Sequence, residues 1–235
     1  MTRERVAVRF SRDASLANAS QTDILQAWAE ALRASRLPVE LTTGRSPRPR
    51  FALAAHLPAG YTSEAEWAEV SLSEDVEPSR VVDALASTLP PSMRPLEARR
   101  MSPGEPSLHA QLKFAEYRVV LGAPARAADL ERRIDDFFAR RSFEWEESFD
   151  GRVKHFDLLA LVDDLWVEQS EGGLALGLRL DASTTGTGRP DSVLAGLGLT
   201  DIASRHRTRL IFSYLPEAVL LWRRIGRFLN ERPER

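Results

Sequence analysis

Two periodicities alternate along this chain in a set order, and then the same order begins again. That repetition constrains the fold more than any single motif does. Arg5-Val6-Ala7-Val8-Arg9-Phe10 alternates polar and apolar residues, the mark of a half-buried strand. Ser20 or Thr22 can cap the next segment, in which Ile24, Leu25, Trp28, Ala31 and Leu32 recur at helical spacing. Leu37-Pro38 stops that helix, and Phe51 to Leu57 reads as a strand. Glu66 to Leu72 alternates again, with Trp67, Val70 and Leu72 as core candidates. Pro78 opens a second helix with an apolar stripe of Val81, Val82, Leu85 and Leu89, and Arg94 to Arg100 closes the series as a strand. The order β-α-β-β-α-β predicts a ferredoxin-like unit, one antiparallel sheet covered by two helices.

Met101-Ser102-Pro103-Gly104-Glu105-Pro106 has the composition of a linker, after which the pattern restarts. Strands are predicted at Gln111–Leu121, Phe143–Glu146, Lys154–Leu161 and Thr208–Tyr214. A hairpin of Leu165–Gln169 and Leu174–Leu180 turns about Gly172-Gly173. Helices are predicted at Ala127–Arg140, with Leu130, Ile134, Phe137 and Phe138 on one stripe, and at Asp191–Leu197. The expected architecture is therefore α+β: two tandem ferredoxin-like (βαββαβ) units with antiparallel sheets, at 1–102 and 108–215, the second carrying an extra strand. A C-terminal amphipathic helix at 216–235 follows, apolar through Val219, Leu220, Leu221, Trp222, Ile225, Phe228 and Leu229 and basic at Arg223, Arg224, Arg227 and Arg232.

Composition narrows the function. The 235 residues contain no cysteine, so thiol nucleophiles, cysteine zinc sites and protein-ligated iron–sulfur clusters are excluded. No apolar run approaches the roughly 20 residues that span a bilayer. Met1-Thr2-Arg3-Glu4-Arg5 leads toward a strand and not a signal peptide, so a cytoplasmic location and no membrane partner are expected. The formal net charge is −2, so nucleic acid could be held only by a local basic patch.

Such a patch stands at Thr43-Gly44-Arg45-Ser46-Pro47-Arg48-Pro49-Arg50. Pro47 and Pro49 hold the backbone extended, and Arg45, Arg48 and Arg50 project from it as a candidate site for phosphate or carboxylate. The plainer alternative is a connection whose arginines pair with Glu64, Glu66 and Glu69. A second candidate anion loop is Ser183-Thr184-Thr185-Gly186-Thr187-Gly188-Arg189-Pro190-Asp191. There Gly186 and Gly188 could let backbone N–H groups approach a ligand beside Arg189. It lacks a Walker ending and a dinucleotide fingerprint, so no nucleotide cofactor is indicated. His56, His109, His155 and His206 form no metal-ligating spacing. His155 and Asp157 share a strand face as a candidate base with its orienting carboxylate, against the plainer reading of a structural histidine.

These residues resemble the bacterial radical-SAM-linked protein family (domain of unknown function 2344). The resemblance is carried by Val8-Arg9-Phe10-Ser11, the helix from Asp23 to Leu41, Gly44 through Leu53, Pro58-Ala59-Gly60, Ser63-Glu64-Ala65-Glu66, Ala115-Glu116-Tyr117 and Gly188-Arg189-Pro190-Asp191-Ser192-Val193-Leu194. It implies partnership with a radical S-adenosylmethionine enzyme that supplies its own cluster. Members usually begin a helix with Ser-His-Leu-Asp where this chain has Ser20-Gln21-Thr22-Asp23, and an aromatic residue stands where this chain has Arg45.

Three functional expectations follow. The first is a non-catalytic accessory module, without cofactor, that binds RNA through Gly44, Arg45, Arg48, Arg50, Gly186, Gly188 and Arg189. The second is an RNA-processing enzyme with His56 as base. The third is an interaction subunit whose arginine loop and C-terminal helix dock the radical enzyme.

Overall fold

The computed structural model describes residues 4–122, 126–149, 152–171 and 173–213; the proposed helix at 216–235 and the turn at Asp150-Gly151 lie outside them. The protein is a mixed α+β structure built on one large, mostly antiparallel sheet with few helices. Strands β1 (Glu4–Arg12), β2 (Phe51–Leu53), β3 (Thr62–Leu72) and β4 (Pro95–Arg100) form the first half with helices α1 (Gln21–Ala34) and α2 (Pro78–Ala86). A four-residue helix α3 (Leu108–Gln111) leads into β5 (Leu112–Leu121) and α4 (Ala127–Phe138). Then come β6 (Glu144–Phe149), β7 (Arg152–Asp157), β8 (Val162–Ser170), β9 (Gly173–Asp181), α5 (Pro190–Gly196) and β10 (Ile202–Phe212). The main sheet runs β4-β1-β3-β10-β5-β9-β8, with β2 added to β3; β6 and β7 pair only with each other.

The local chemistry of α1 explains where it starts. Ser20 is the cap: its hydroxyl accepts from Asp23 N while the Asp23 carboxylate accepts from Ser20 N, a reciprocal box that satisfies two otherwise orphan donors. The Ser and Asp of the family-like Ser20-Gln21-Thr22-Asp23 run thus have a structural task. Ile24, Trp28, Ala31 and Leu32 then fall on the buried face. They meet Val6, Val8 and Phe10 of β1, with Ala68 and Val70 opposite them on β3. Trp28 anchors this core, edge-on to Phe10 at 5.0 Å and stacked on Phe51 at 6.2 Å.

The second half builds its core from β5 and β9, where Tyr117 faces Leu178 and Val119 faces Leu176, closed by Leu130, Ile134 and Phe137 of α4 and by Val193 of α5. This core does not stop at the boundary between halves. It also takes in Ala7, Ala54, Leu57, Tyr61, Met101 and Leu108. The halves are joined within the sheet by a parallel pairing, His206 opposite Thr62 and Arg207 opposite Ser63.

Several expectations need correction. Residues 101–106 have linker composition but are packed: Met101 and Glu105 are buried, and Glu105 accepts from Arg99 at 2.7 Å, Ser102 N at 2.9 Å and Gln111 Nε2 at 3.2 Å. Leu108 N donates to Glu69 at 3.0 Å, which fixes α3 against β3. The strand expected at Phe51–Leu57 ends at Leu53, and β3 begins four residues before its expected start, at Thr62. The strands expected at Phe143–Glu146 and Lys154–Leu161 are β6 and β7, which pair only with each other; β7 ends at Asp157 and not at Leu161, because a short helical turn at Leu159–Leu161 follows it. Phe138 faces solvent at 40 % exposure while Phe137 next to it is buried. Trp67 lies across β3 from Val70 and packs on Phe212.

Candidate functional site

Strand β3 carries two clusters of charge, one at each end. At the Leu72 end sits the arginine loop. Its stem is hydrogen-bonded as an extension of the sheet: Glu40 N donates to Ser71 O at 2.9 Å, Ser71 N to Arg50 O at 3.0 Å, and Arg50 N to Glu40 O at 2.8 Å. Thr42 N then donates to Arg48 O at 2.8 Å, and Arg48 N returns to the Thr42 hydroxyl at 3.1 Å. Pro49 is buried and bridges Leu41, so the loop tip is carried by a fixed base. Gly44 has φ +134° with open space around it, so its task is the backbone turn itself.

All three arginines of the loop are exposed. Arg50 approaches Glu40 at 3.8 Å, while Arg45 and Arg48 form no ion pair with any described residue. Of the three carboxylates expected as their plain partners, Glu66 is engaged with Arg207 and Glu69 with Arg5, and Glu64 forms no ion pair with a described residue. Glu40, Leu41, Thr42, Thr43 and Arg50 line an open depression of about 350 Å³ at the base of the loop. The sequence reading missed Glu40, Thr42 and Thr43; the bridge between Leu41 and Pro49, which brings them together, has no local signature.

At the other end, beside Thr62, is the seam between the halves. Arg207 is 1 % exposed and lies 3.1 Å from Glu66 through Nε; its Nη2 donates to His56 O at 2.8 Å. Its guanidinium stands 5.7 Å from the centre of the Tyr117 ring. Tyr61 packs edge-on against Tyr117 and donates its hydroxyl to Asp191 at 3.1 Å, and Arg205 lies 3.4 Å from the same carboxylate. Burial pushes the Tyr61 and Tyr117 hydroxyls up, so both stay protonated donors. Arg12, also buried, donates to Leu16 O at 2.9 Å.

His56 stands exposed at the edge of this seam. Partial burial, then the charges of Arg207 and Arg12, hold its imidazole below the usual pKa, in the neutral form that can accept a proton. No described residue hydrogen-bonds its ring, so it has no orienting partner. His155 has none either: the Asp157 carboxylate accepts from Phe143 N at 2.8 Å and Leu159 N at 3.0 Å, a turn-capping task.

The glycine loop is closed on itself. Ser183 N donates to the Asp181 carboxylate, Thr185 N to the Ser183 hydroxyl, and Gly188 N to Asp181 O at 2.7 Å, so these three N–H groups are engaged within the loop. Gly186 and Gly188 are there for packing. A Cβ on Gly188 would meet Leu161 O and Leu180 Cβ at 2.8 Å, and one on Gly186 would meet Asp181 Oδ2 at 2.9 Å. Arg189 pairs with Glu147 at 2.7 Å. The two sequence-flagged loops are separated by the length of β3, ten residue steps or roughly 30 Å, so they do not share a cleft. No three His, Asp or Glu among the described residues are grouped to hold a metal, and no helix among them is long and apolar enough to cross a membrane.

Fold and site together define a mixed α+β protein with a large, mostly antiparallel sheet and arginine clusters at both ends of one central strand. The chain belongs to the family described as "Uncharacterized protein conserved in bacteria (DUF2344)", whose profile matches residues 5–190. No curated protein matches it. Among solved structures it is similar to a chain in a crystal structure of a Cbf5-Nop10-Gar1 complex, at 13% identity and TM-score 0.44, over 87% of this chain and 48% of that one. The chain thus spans about half the length of that relative. It is also similar to a putative glycine cleavage system transcriptional repressor, at 10% identity and TM-score 0.25, over 85% of this chain and 95% of that one.

Proposed function

We propose that this protein is a non-catalytic binding module that takes a phosphate-bearing ligand, RNA in the first instance, on its arginine loop and serves a separate radical S-adenosylmethionine enzyme. The observation that carries the binding half of this reading is the pair Arg45 and Arg48. Both are exposed and without an ion pair among the described residues, on a loop whose stem is bonded into the sheet. Guanidinium groups on a fixed backbone lose less freedom on binding than groups on a loose one, and they suit phosphate oxygens. The partnership with a radical enzyme rests on the sequence resemblance alone. The absence of cysteine means that any cluster would come from that enzyme.

We read the architecture as two ferredoxin-like units in tandem. The strand orders β4-β1-β3-β2 and β10-β5-β9-β8 support this, each placing the first and third strands of a half at the centre. The glycine loop is left out of the proposed site, since the N–H groups of Ser183, Thr185 and Gly188, and Arg189, are engaged. The enzyme reading is not favoured, because His56 has no orienting partner.

The test is binding of a mixed cellular RNA pool to the purified chain across salt, with Arg48→Ala and Arg45→Ala. Weaker binding with a shallower salt dependence supports the phosphate reading. Unchanged RNA binding together with loss of co-purification with the radical enzyme would transfer the loop to a protein partner.

A further inference from the structure

We propose that the seam between the two halves is a second anion site, where Arg12 and Arg207 receive a phosphate-class oxyanion next to His56. The argument is one of charge. Two guanidinium groups, 4 % and 1 % exposed, lie with a single carboxylate, Glu66, which is 3 % exposed. Glu66 engages Arg207, through Nε at 3.1 Å and Nη2 at 3.3 Å. Arg12 is left with a neutral partner, Leu16 O. The buried group therefore carries one surplus positive charge, a condition that protein interiors ordinarily relieve by pairing.

The acids around the seam do not supply the missing charge from within: Glu64, two residues from Glu66, is exposed. Asp191 is taken by Tyr61 and Arg205, and Glu116 by Arg179 and Arg209. Donor capacity is left over as well. Arg12 Nε is buried without a hydrogen-bond partner, whereas Arg207 Nε and Glu66 Oε1, which also lack one, face each other at 3.1 Å as an ion pair. An oxyanion meets both needs, because planar guanidinium donors match its oxygens. His56 lies on the exposed side of this group, and Arg189 adds to the positive field at its ring. Phosphate, with about −1.5 to −2 charges near neutral pH, fits this field better than a monovalent ion.

The site is independent of the arginine loop, which occupies the far end of β3. The experiment is thermal unfolding of the full chain titrated with inorganic phosphate, ionic strength being held constant with chloride. Wild type is expected to show a saturable rise in Tm that chloride alone does not give. Arg12→Met, which removes the surplus charge and keeps an apolar stem, is expected to weaken phosphate binding at least about tenfold, the worth of one charge-assisted hydrogen bond. It should also melt no lower than wild type in phosphate-free buffer. His56→Gln, on the exposed edge, should weaken the response with the Tm in chloride unchanged, and it keeps the test decisive if Arg12→Met does not fold. Arg48→Ala should respond as wild type does, so failure of the loop reading and failure of this one are separable. A parallel titration with adenosine monophosphate distinguishes the source: equal affinities assign free phosphate, and tighter nucleotide binding assigns a phosphoryl group on a larger ligand. Equal phosphate responses in wild type, Arg12→Met and His56→Gln, or a response reproduced by chloride, would overturn the proposal.

Discussion

The two ends of β3 each collect arginines, and the fold uses them differently. At the Leu72 end Arg45 and Arg48 stand in solvent on a bonded stem and do little for the fold. At the Thr62 end Arg207 is part of the join between the halves, bonded to Glu66 and to the backbone of His56. The difference teaches that burial and pairing, not arginine content, decide what a cluster of guanidinium groups can offer a ligand. What distinguishes the loop is that its unpaired charges stand in solvent on a bonded stem, whereas those of the seam are buried and Glu66 engages only Arg207. In the glycine loop the N–H groups of Ser183, Thr185 and Gly188 and the charge of Arg189 are all engaged within the protein.

This contrast can be broken first at Glu66. Glu66→Ala leaves Arg207 and Arg12 buried without a counter-charge, and a loss of about 3–5 kcal/mol is expected in denaturant unfolding. A loss below about 1 kcal/mol would show that the seam is wet and its charges are solvated. Next comes a comparison of glycines. Gly188→Ala drives a Cβ into Leu161 O and Leu180 and should cost about 1–3 kcal/mol while leaving RNA binding intact. An effect on RNA binding without loss of stability would restore that loop as a ligand site. Tyr61→Phe removes the hydroxyl contact to Asp191 across the seam and should cost about 1 kcal/mol.

Much of the fold was legible because it is local. The alternation in Val6, Val8 and Phe10, the Ser20–Asp23 box and the stripe Ile24, Trp28, Ala31 each report their own element within a few residues. The seam was not legible, because the pairing of His206 with Thr62 joins residues 144 positions apart and leaves no periodic trace. Arg12 and Arg207 look like surface residues in sequence, and their burial depends on Glu66 arriving from another strand. The Pro- and Gly-rich run 101–106 looks like a linker because nothing local reveals that Glu105 meets Arg99 and Gln111. The arginine loop was visible as a motif, and its stem partners Glu40 and Thr42 were not. Gly186 and Gly188 suggested an anion turn because a glycine needed for close packing and one needed for a ligand look the same in sequence.

A smaller effect sharpens the seam's side of the comparison. The folded state holds His56 below its ordinary pKa, through burial and then Arg207 and Arg12, and burial does the same for His206. The unfolded chain therefore takes up these protons first, and stability is lost as pH falls from about 6.5 through the lower folded values. His56→Gln with His206→Gln should flatten that part of the stability profile. An unchanged profile would mean that neither ring feels the seam's positive field or its burial.

The most direct test of the central claim compares three forms of the chain for RNA binding over a range of salt: wild type, Arg45→Ala with Arg48→Ala, and Arg189→Ala. The account predicts that the double variant binds more weakly and loses about 1.4 from the slope of log K against log salt, roughly 0.7 for each single-strand phosphate contact. Its stability should stay within about 0.5 kcal/mol of wild type, and Arg189→Ala should bind as wild type does. Equal binding by all three forms, or no binding of RNA by wild type at low salt, would contradict it.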